Sequence, residues 1–263
     1  MRRNIFQKIS IITVVLNGQS LIERTIHSVL EQTYSNVEYI IIDGASVDGT
    51  MAVVEKYRSK ITKFISEKDQ GIYDAMNKGI LLSTGDFLYF LNAGDQFVHS
   101  NVLERVTQFC AMQTTREIIY GDIRLENMSD RWIINEKTYR GEIKNLRYLF
   151  NNMFCQQRAF FHRNFFDRMG KFDTSFKVIA DYDLVFRAYQ SGMRFGYLHE
   201  DIVSIALGGY SNIHLDRFLQ ERLRSLRHLP WWQWYWILDH VVGAISRGSI
   251  GKYIKSKRIS LNQ

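Results

Sequence analysis

Four aspartates stand at the ends of predicted elements, where side chains can do chemistry: Asp43, Asp69, Asp95 and Asp181. Carboxylates so placed can hold a hard divalent cation that bridges phosphate oxygens, or accept a proton as a general base. For any one of them, a helix cap or a turn is the favoured interpretation, because Asp fills both roles readily. Two or more at one sheet edge, beside glycine-rich turns, instead indicate a functional site.

The elements that must position these residues alternate between buried strands and amphipathic helices. Four runs predict strands, and all but the third are apolar enough to be buried on both faces, as in parallel sheets. They cover residues 8–16, 37–42, 61–65 and 87–91. The resulting β-α-β-α-β-α-β order predicts a parallel, doubly wound α/β sheet in roughly the first hundred residues. Ligands of such sheets bind beyond the carboxyl ends of the strands, where Asp43 and Asp95 lie.

The glycine-rich turns suit a nucleotide diphosphate. Glycine permits close backbone approach, and helix amino termini favour phosphate. Two familiar phosphate motifs are missing from the sequence, since there is no GxxxxGK[ST] loop and GASVDG is not GxGxxG. No elbow pattern supports a Ser or Cys nucleophile.

Beyond residue 98 the pattern is less regular. It predicts a helix near 102–110, a strand pair from EIIYGDIRLEN and DRWIINEKTYR, and helices in RNFFDRMG and DYDLVFRAYQSG. Asp181 begins the last of these helices. At the other end of the chain, Ser20 and Glu23 form a capping-box pattern before the first helix.

Several polar residues have two interpretations. Asn17 and Asn77 either orient groups of a bound ligand or satisfy the backbone at a turn or helix surface. Gln156 and Gln157 either line the ligand site or cap a strand end. Tyr73 lies on the polar side of its predicted helix, so surface exposure is expected.

The net charge of +7 belongs to the end of the chain. From Arg217 onward, nine Lys or Arg residues stand against two acidic ones, whereas the first 216 residues are balanced. This argues against a nucleic-acid-binding core and predicts an acidic partner for the tail. Two distant cysteines exclude a zinc cluster or disulfide framework. The amino terminus has no apolar signal core, so a cytoplasmic location is expected.

The tail also carries four of the five tryptophans, between residues 231 and 236. Its apolar residues follow the spacing of one helical face for about fifteen residues, which is short of the ~20 needed to span a bilayer. Tryptophan and flanking positive charge predict an interfacial helix on the anionic inner face of the cell membrane. The alternative is packing on the domain or on a second subunit.

Seven segments, in consistent order from about residue 8 to 211, carry a family resemblance. They are ISIITVVLNG, QTYSNVEYIIIDGASVDGT, SEKDQGIYDAMNKGI, STGDFLYFLNAGD, CQQRAFFHR, ADYDLVFRA and GGYS. Together they resemble a family 2 glycosyltransferase of the bacterial surface-polysaccharide kind. The resemblance implies the A-type glycosyltransferase fold, a Rossmann-like, mostly parallel sheet flanked by helices, here followed by an amphipathic helical tail.

The resemblance also implies roles for the aspartates. Asp43 matches the aspartate that contacts the nucleotide base, and Asp69 matches a second donor-binding carboxylate. Asp181 matches the catalytic base, although its usual acidic neighbour is Ala180.

The corner Asn92-Ala93-Gly94-Asp95 matches the acidic motif that binds Mg²⁺ or Mn²⁺ on the donor diphosphate. Two positions that are often acidic are Asn92 and Gly94 here, so only Asp95 keeps a carboxylate. This implies a weak, donor-dependent metal site in which Asn92 contacts the donor.

The expected activity is inverting transfer of a hexosyl group, most simply from a UDP-sugar, to a glycan or lipid-linked acceptor. The expected domains are a glycosyltransferase domain at 1–215, with a donor half (1–98) and an acceptor half (99–215), and a tail at 216–263. A sugar nucleotidyltransferase is one alternative, but the turn VVLNGQS lacks the basic glycine-rich loop of that class. A non-catalytic nucleotide-sugar- or carbohydrate-binding protein is the other.

Overall fold

A computed structural model describes residues 7–112, 116–126, 141–151, 154–206 and 215–226. Its strands are β1 (Ile9–Val15), β2 (Val37–Asp43), β3 (Lys63–Ser66), β4 (Phe87–Phe90), β5 (Gln96–Phe97), β6 (Ile118–Glu126), β7 (Ala159–His162) and β8 (Phe195–Ala206). Its helices are α1 (Ile22–Leu30), α2 (Thr50–Glu55), α3 (Ile72–Leu82), α4 (Val102–Met112), α5 (Leu146–Asn151), α6 (Arg163–Met169), α7 (Ala180–Gln190) and α8 (Leu215–Ser225).

The first four strands form the predicted parallel sheet. β1 pairs in parallel with β2 on one side and β4 on the other, and β3 extends β2. Both faces of β1 and β4 are buried, which explains their continuous apolar runs. Because the chain passes from β3 back to β4 across β1, the strand order reverses at β1 and leaves a crevice at its carboxyl end.

The remaining strands turn the sheet into a mixed one. β7 is antiparallel to β4, β6 is antiparallel to β7, and β8 runs parallel to β6. The segment EIIYGDIRLEN is thus a strand, as expected, but the residues predicted to pair with it, 130–140, lie outside the described ranges. The fold class is confirmed: a mixed α/β sheet flanked by helices.

A fully buried arginine anchors the junction between β6 and β7. Arg158 donates from Nε to Gly121 O at 2.9 Å and from Nη2 to Asp122 Oδ1 at 3.3 Å. Its guanidinium also lies 5.4 Å from the ring centres of Tyr120 and Phe154. Arg158 closes the short 3-10 turn at Gln156–Arg158, and so fixes the two glutamines that precede it.

The start of α1 differs from the expected capping box. Leu21 is the N-cap and makes no side-chain cap hydrogen bond. The side chain of Glu23 instead accepts from the Tyr57 hydroxyl at 2.8 Å. Glu23 thus bonds to Tyr57, just beyond α2, instead of to the backbone at the start of its own helix.

The chain divides into two units, Met1–Glu221 and Arg222–Gln263, and the sheet belongs to the first. None of the described helices is long and apolar enough to cross a membrane. The tryptophan-rich segment lies outside the described residues, so its predicted helix and the domain boundary at 215 stay predictions.

Candidate active site

A cavity of about 640 Å³ opens at the carboxyl ends of β1 and β4. Its walls come from the turns after these strands, the beginning of α3 and the segment before α7. The polar side chains that line it include Asn17, Asp69, Tyr73, Asn92, Lys177 and Arg217. The cavity therefore lies at the strand-order reversal, where the sequence places a ligand site.

The turn after β1 is tied to the turn after β2. Asn17 has a φ of 52°, in the left-handed region that Asn tolerates better than most residues. Its backbone N–H donates to Ser46 Oγ at 2.7 Å, and its Oδ1 accepts from Val47 N–H at 2.9 Å. Asn17 lines the cavity and also fixes the loop opposite.

Asp43 is fully buried beneath that loop. Its carboxylate accepts from the Ser46 hydroxyl and N–H and from the Ser66 hydroxyl at 2.6 Å. These bonds join the loop after β2 to the end of β3. Contact between Asp43 and a nucleotide base stays a prediction.

Asp69 lies against the neighbouring glycine turn and lines the cavity. Its Oδ1 accepts from Gly71 N–H at 2.9 Å. A Cβ added at Gly44 would lie 2.5 Å from Asp69 Oδ2, so only glycine fits there. This close approach is a physical reason for the glycine-rich pattern that the sequence shows.

The corner after β4 is held by a buried threonine. Thr25 Oγ1 accepts from Gly94 N–H at 2.9 Å and donates to Asp95 O at 2.7 Å. Gly94 has a φ of 100°, which disfavours any residue with a side chain. This backbone requirement accounts for glycine at a position where the resembled motif is often acidic.

Asn92 and Asp95 supply the side-chain oxygen atoms at this corner. Asn92 Oδ1 is buried and accepts no hydrogen bond from the described residues. Asp95 is 6% exposed, and its Oδ2 accepts from Gln157 Nε2 at 3.1 Å. A buried acceptor without a hydrogen-bond donor destabilises the fold unless a ligand supplies the partner. The unpaired Asn92 Oδ1 therefore indicates that a group binds here.

The oxygen atoms of this corner are of the type that binds a divalent cation such as Mg²⁺ or Mn²⁺. Among the described residues, no three His, Cys, Asp or Glu side chains cluster as a metal site. Mg²⁺ needs fewer protein ligands than that, since it is usually held by one or two carboxylates, substrate phosphates and waters. One carboxylate and one orphaned amide oxygen match this mode of binding.

Asp181 lies in the first turn of α7 and is 6% exposed. The Tyr73 hydroxyl donates to its Oδ1 at 2.8 Å, and Gln156 N–H lies 3.3 Å from its Oδ2. No Lys, Arg or His pairs with it in the part of the chain that the structure describes. Burial raises the pKa of Asp181 to about 6, against the lowering effect of the hydrogen bonds from Tyr73 and backbone N–H groups.

Tyr73 and the two glutamines are the residues that sequence reasoning undervalued. The prediction that Tyr73 is surface-exposed is wrong: it is buried and joins the cavity wall to Asp181. Gln156 contacts Asp181 while Gln157 contacts Asp95, so adjacent residues link the two carboxylates. The motif CQQR was the available signal, but it did not say what the glutamines touch.

Asn77 and Asp183 have structural partners. Asn77 Nδ2 donates to Phe172 O at 2.9 Å and Oδ1 accepts from Phe172 N–H at 3.0 Å, which matches its backbone-satisfying interpretation. A role toward the donor stays a prediction. Asp183 accepts from Arg187 Nε at 2.8 Å and so has a cationic partner on its own helix, unlike Asp181.

Comparison with known proteins decides the family. Residues 10–172 match the model of glycosyl transferase family 2. A PGL/p-HBAD biosynthesis glycosyltransferase of Mycobacterium tuberculosis is 30% identical over 219 residues, which cover 81% of this chain and 83% of the relative. The chain belongs to glycosyltransferase family 2.

Solved structures similar to this family 2 glycosyltransferase share its fold. The S. aureus TarS fragment 1–349, solved with UDP-GlcNAc, superposes with a TM-score of 0.67 at 18% identity. The match covers 78% of this chain and 60% of the fragment. The mannosyltransferase PcManGT from Pyrobaculum calidifontis, solved with GDP-Man and Mn²⁺, gives 0.62 at 17% identity and covers 97% of this chain and 81% of that one.

Proposed function

We propose that this family 2 glycosyltransferase moves a hexosyl group from a nucleotide-diphosphate donor, a UDP-sugar, to a hydroxyl of a glycan or lipid-linked acceptor, with inversion. The acceptor class and a role in surface-polysaccharide synthesis follow from the resemblance of its motifs. The observation that carries the proposal is Asp181, a buried carboxylate with no cationic partner among the described residues and a pKa of about 6. A general base for neutral pH needs a pKa of this kind.

The size and lining of the cavity suit a donor that combines an anionic diphosphate with a nucleoside. Its volume falls in the usual range for small-molecule sites. Lys177 and Arg217 supply positive charge to its wall for a diphosphate, while Asn17 and Asp69 offer polar groups for the nucleoside. TarS and PcManGT were solved with UDP-GlcNAc and GDP-Man, which supports a nucleotide sugar without choosing the nucleotide.

Asp95 and Asn92 would hold the divalent metal. When bound, it neutralises charge on the diphosphate as that group leaves. Family membership and the Mn²⁺ of PcManGT support this cofactor. Gln157 positions the Asp95 carboxylate through its Nε2 donor.

Asp181 would accept the proton of the acceptor hydroxyl as that oxygen attacks the anomeric carbon. The bond from the sugar to the diphosphate breaks as the new glycosidic bond forms, and the nucleotide diphosphate departs with the electron pair. Attack on the face opposite the leaving group inverts the anomeric configuration. Tyr73 holds one oxygen of Asp181, which leaves the carboxylate oriented rather than free to rotate.

A panel of UDP- and GDP-sugars tests the proposal. Each donor is incubated with Mn²⁺ or Mg²⁺ and glycan acceptors, and the anomeric configuration of the product is read by NMR. Turnover with inversion supports it. Tight donor binding with neither transfer nor hydrolysis would favour a non-catalytic binding protein, formation of a nucleotide sugar from a sugar phosphate would favour a nucleotidyltransferase, and retained configuration would overturn the proposed mechanism.

We further propose that the tail at 216–263 holds the enzyme peripherally on the inner face of the cell membrane. Support comes from its positive charge and clustered tryptophans. Ending the chain before Leu229 should move the protein from membrane to soluble fractions, and high salt should do so in part. If full-length protein ignores anionic vesicles, or truncated protein stays on membranes, the tail has another role, such as subunit contact.

A further inference from the structure

A carboxylate from α8 holds the loop in front of α7. Glu221 is 8% exposed and accepts three backbone hydrogen bonds. Lys177 N–H donates to its Oε1 at 2.8 Å, and the N–H groups of Val178 and Ile179 donate to Oε2 at 2.9 and 3.3 Å. Ile179 is the N-cap of α7 and makes no side-chain cap of its own. Glu221 therefore fixes the chain just before α7 and, at Ile179, accepts the N-cap N–H that a capping-box glutamate would accept locally.

The loop held by Glu221 is linked to the proposed base through one hydroxyl. The Tyr73 oxygen lies 2.8 Å from both Val178 O and Asp181 Oδ1. Since the hydroxyl has a single proton, Val178 O and Asp181 Oδ1 share it, and the position of Val178 sets how far that proton is directed at Asp181. A displacement of Val178 therefore changes the hydrogen bond that orients the base.

The charge of Glu221 acts on the same hydroxyl. Burial raises the pKa of Tyr73 well above its ordinary value, and the carboxylates of Asp181 and Glu221 raise it further. Tyr73 thus keeps its proton at any working pH and remains a donor to Asp181. Glu221 therefore affects the Tyr73 hydroxyl in two ways: its backbone hydrogen bonds place Val178, and its charge helps to keep the hydroxyl protonated.

We infer that Glu221 is a positioning residue for glycosyl transfer: by holding residues 177–179 it places the Tyr73 hydroxyl, and through it the carboxylate of Asp181. This rests on the proposed function, because it takes Asp181 as the base. Glu221 lies beyond the segment that matches the family model, 10–172, and no sequence motif marked it.

Glu221→Gln tests the inference, because it keeps the size of the side chain but presents one acceptor oxygen to three donors. We expect kcat to fall by about tenfold to a hundredfold, the scale of a slightly misplaced catalytic group. The donor KM should rise by a smaller factor than kcat falls, because Glu221 holds only the backbone N–H of Lys177, whose side chain lines the donor cavity. Gln220→Ala, on the exposed neighbouring residue, is the matched control and should keep kcat. An unchanged kcat in Glu221→Gln, or an equal loss in the control, overturns the inference.

Coupling to Asp181 separates positioning from a general loss of structure. In an Asp181→Asn background, adding Glu221→Gln should lower kcat no further, because both changes act on one group. A full additional loss would show that Glu221 acts elsewhere. If Asp181→Asn alone keeps near-normal turnover, the proposed base is wrong, and that result is distinct from failure at Glu221.

Tyr73→Phe interrupts the same link at its other end and keeps the test decisive if Glu221→Gln does not fold. It should reproduce the fall in kcat with little change in donor KM. It should also move the acid limb of the pH profile to higher pH. The Tyr73 hydroxyl lowers the pKa of Asp181 in the wild type, so its removal should raise that pKa. Full activity of Tyr73→Phe with an unmoved limb overturns the inference.

Discussion

Two buried carboxylates at opposite edges of the sheet have opposite environments. At the amino edge, Glu38 is 2% exposed and fully paired. It accepts from Ser10 Oγ at 2.6 Å and from Thr84 N–H at 2.7 Å, and Lys63 Nζ lies 3.1 Å away. At the carboxyl edge, Asp181 is buried as deeply but has one hydroxyl and backbone N–H groups as donors.

The pKa values report this difference. For both groups burial is the largest influence and raises the pKa. At Glu38 the hydrogen bonds and cations outweigh burial and lower the pKa to about 2, whereas at Asp181 burial wins and the pKa rises to about 6. A satisfied carboxylate stabilises the fold, while an incompletely satisfied one is left able to bind a proton.

Asp181→Asn should produce the largest effect. Loss of the base should lower kcat by about a hundredfold to ten-thousandfold. Thermal stability at pH 7.5 should not fall, because the buried carboxylate is the less favourable form in the folded state. Steady-state kinetics and calorimetry measure both. Asp183→Asn is the matched control, since that carboxylate pairs with Arg187. Near-normal turnover in Asp181→Asn would place the base elsewhere.

Asp95→Asn should follow, with a loss of about a hundredfold in kcat/KM, because the amide neutralises the one carboxylate of the metal corner. A chelator should reduce the wild type to a similar level, and Mn²⁺ or Mg²⁺ should restore it. The variant should bind Mn²⁺ more weakly by paramagnetic resonance. Full wild-type turnover in chelator would remove the metal from the mechanism.

Glu38→Gln should affect stability and spare chemistry. The amide leaves buried donors and lysines without a charged acceptor, so the free energy of unfolding should fall by about 1–3 kcal/mol. Denaturant titration measures this loss, and kcat per folded molecule should stay unchanged. A large drop in kcat without loss of stability would erase the contrast between the two edges.

The pH dependence should show the smallest effect and separate the edges in one experiment. Asp181 must be deprotonated to act, so kcat/KM should fall as pH drops through about 6 and be constant above it. Glu38 has a lowered pKa, so its stabilisation is present above its unfolded pKa near 4.5 and is lost as pH falls toward about 2. An acid limb that tracks unfolding would contradict this separation.

The parallel half of the fold was determined by sequence pattern alone. Continuous apolar runs favour strands buried on both faces, and their alternation with helices predicts a parallel, doubly wound sheet. That topology brings the ends of β1, β2 and β4 together, so Asp43, Asn92 and Asp95 were placed at the correct edge before any contact was known. Motifs supplied the rest, because Asp69 and Asp181 follow no strand pattern that locates them.

Tertiary structure decided which of these groups are satisfied. Tyr73 and Val178 are 105 residues apart in the chain, and no local pattern predicts the hydrogen bond between them. The same holds for Asn77 with Phe172 and for Glu221 with the loop before α7. Periodicity describes one element at a time, whereas hydrogen-bond partners and desolvation are properties of packed pairs of elements. The identity of the carboxylates was therefore readable in the sequence, but which of them would keep a raised pKa depended on the packing of α3, α7 and α8.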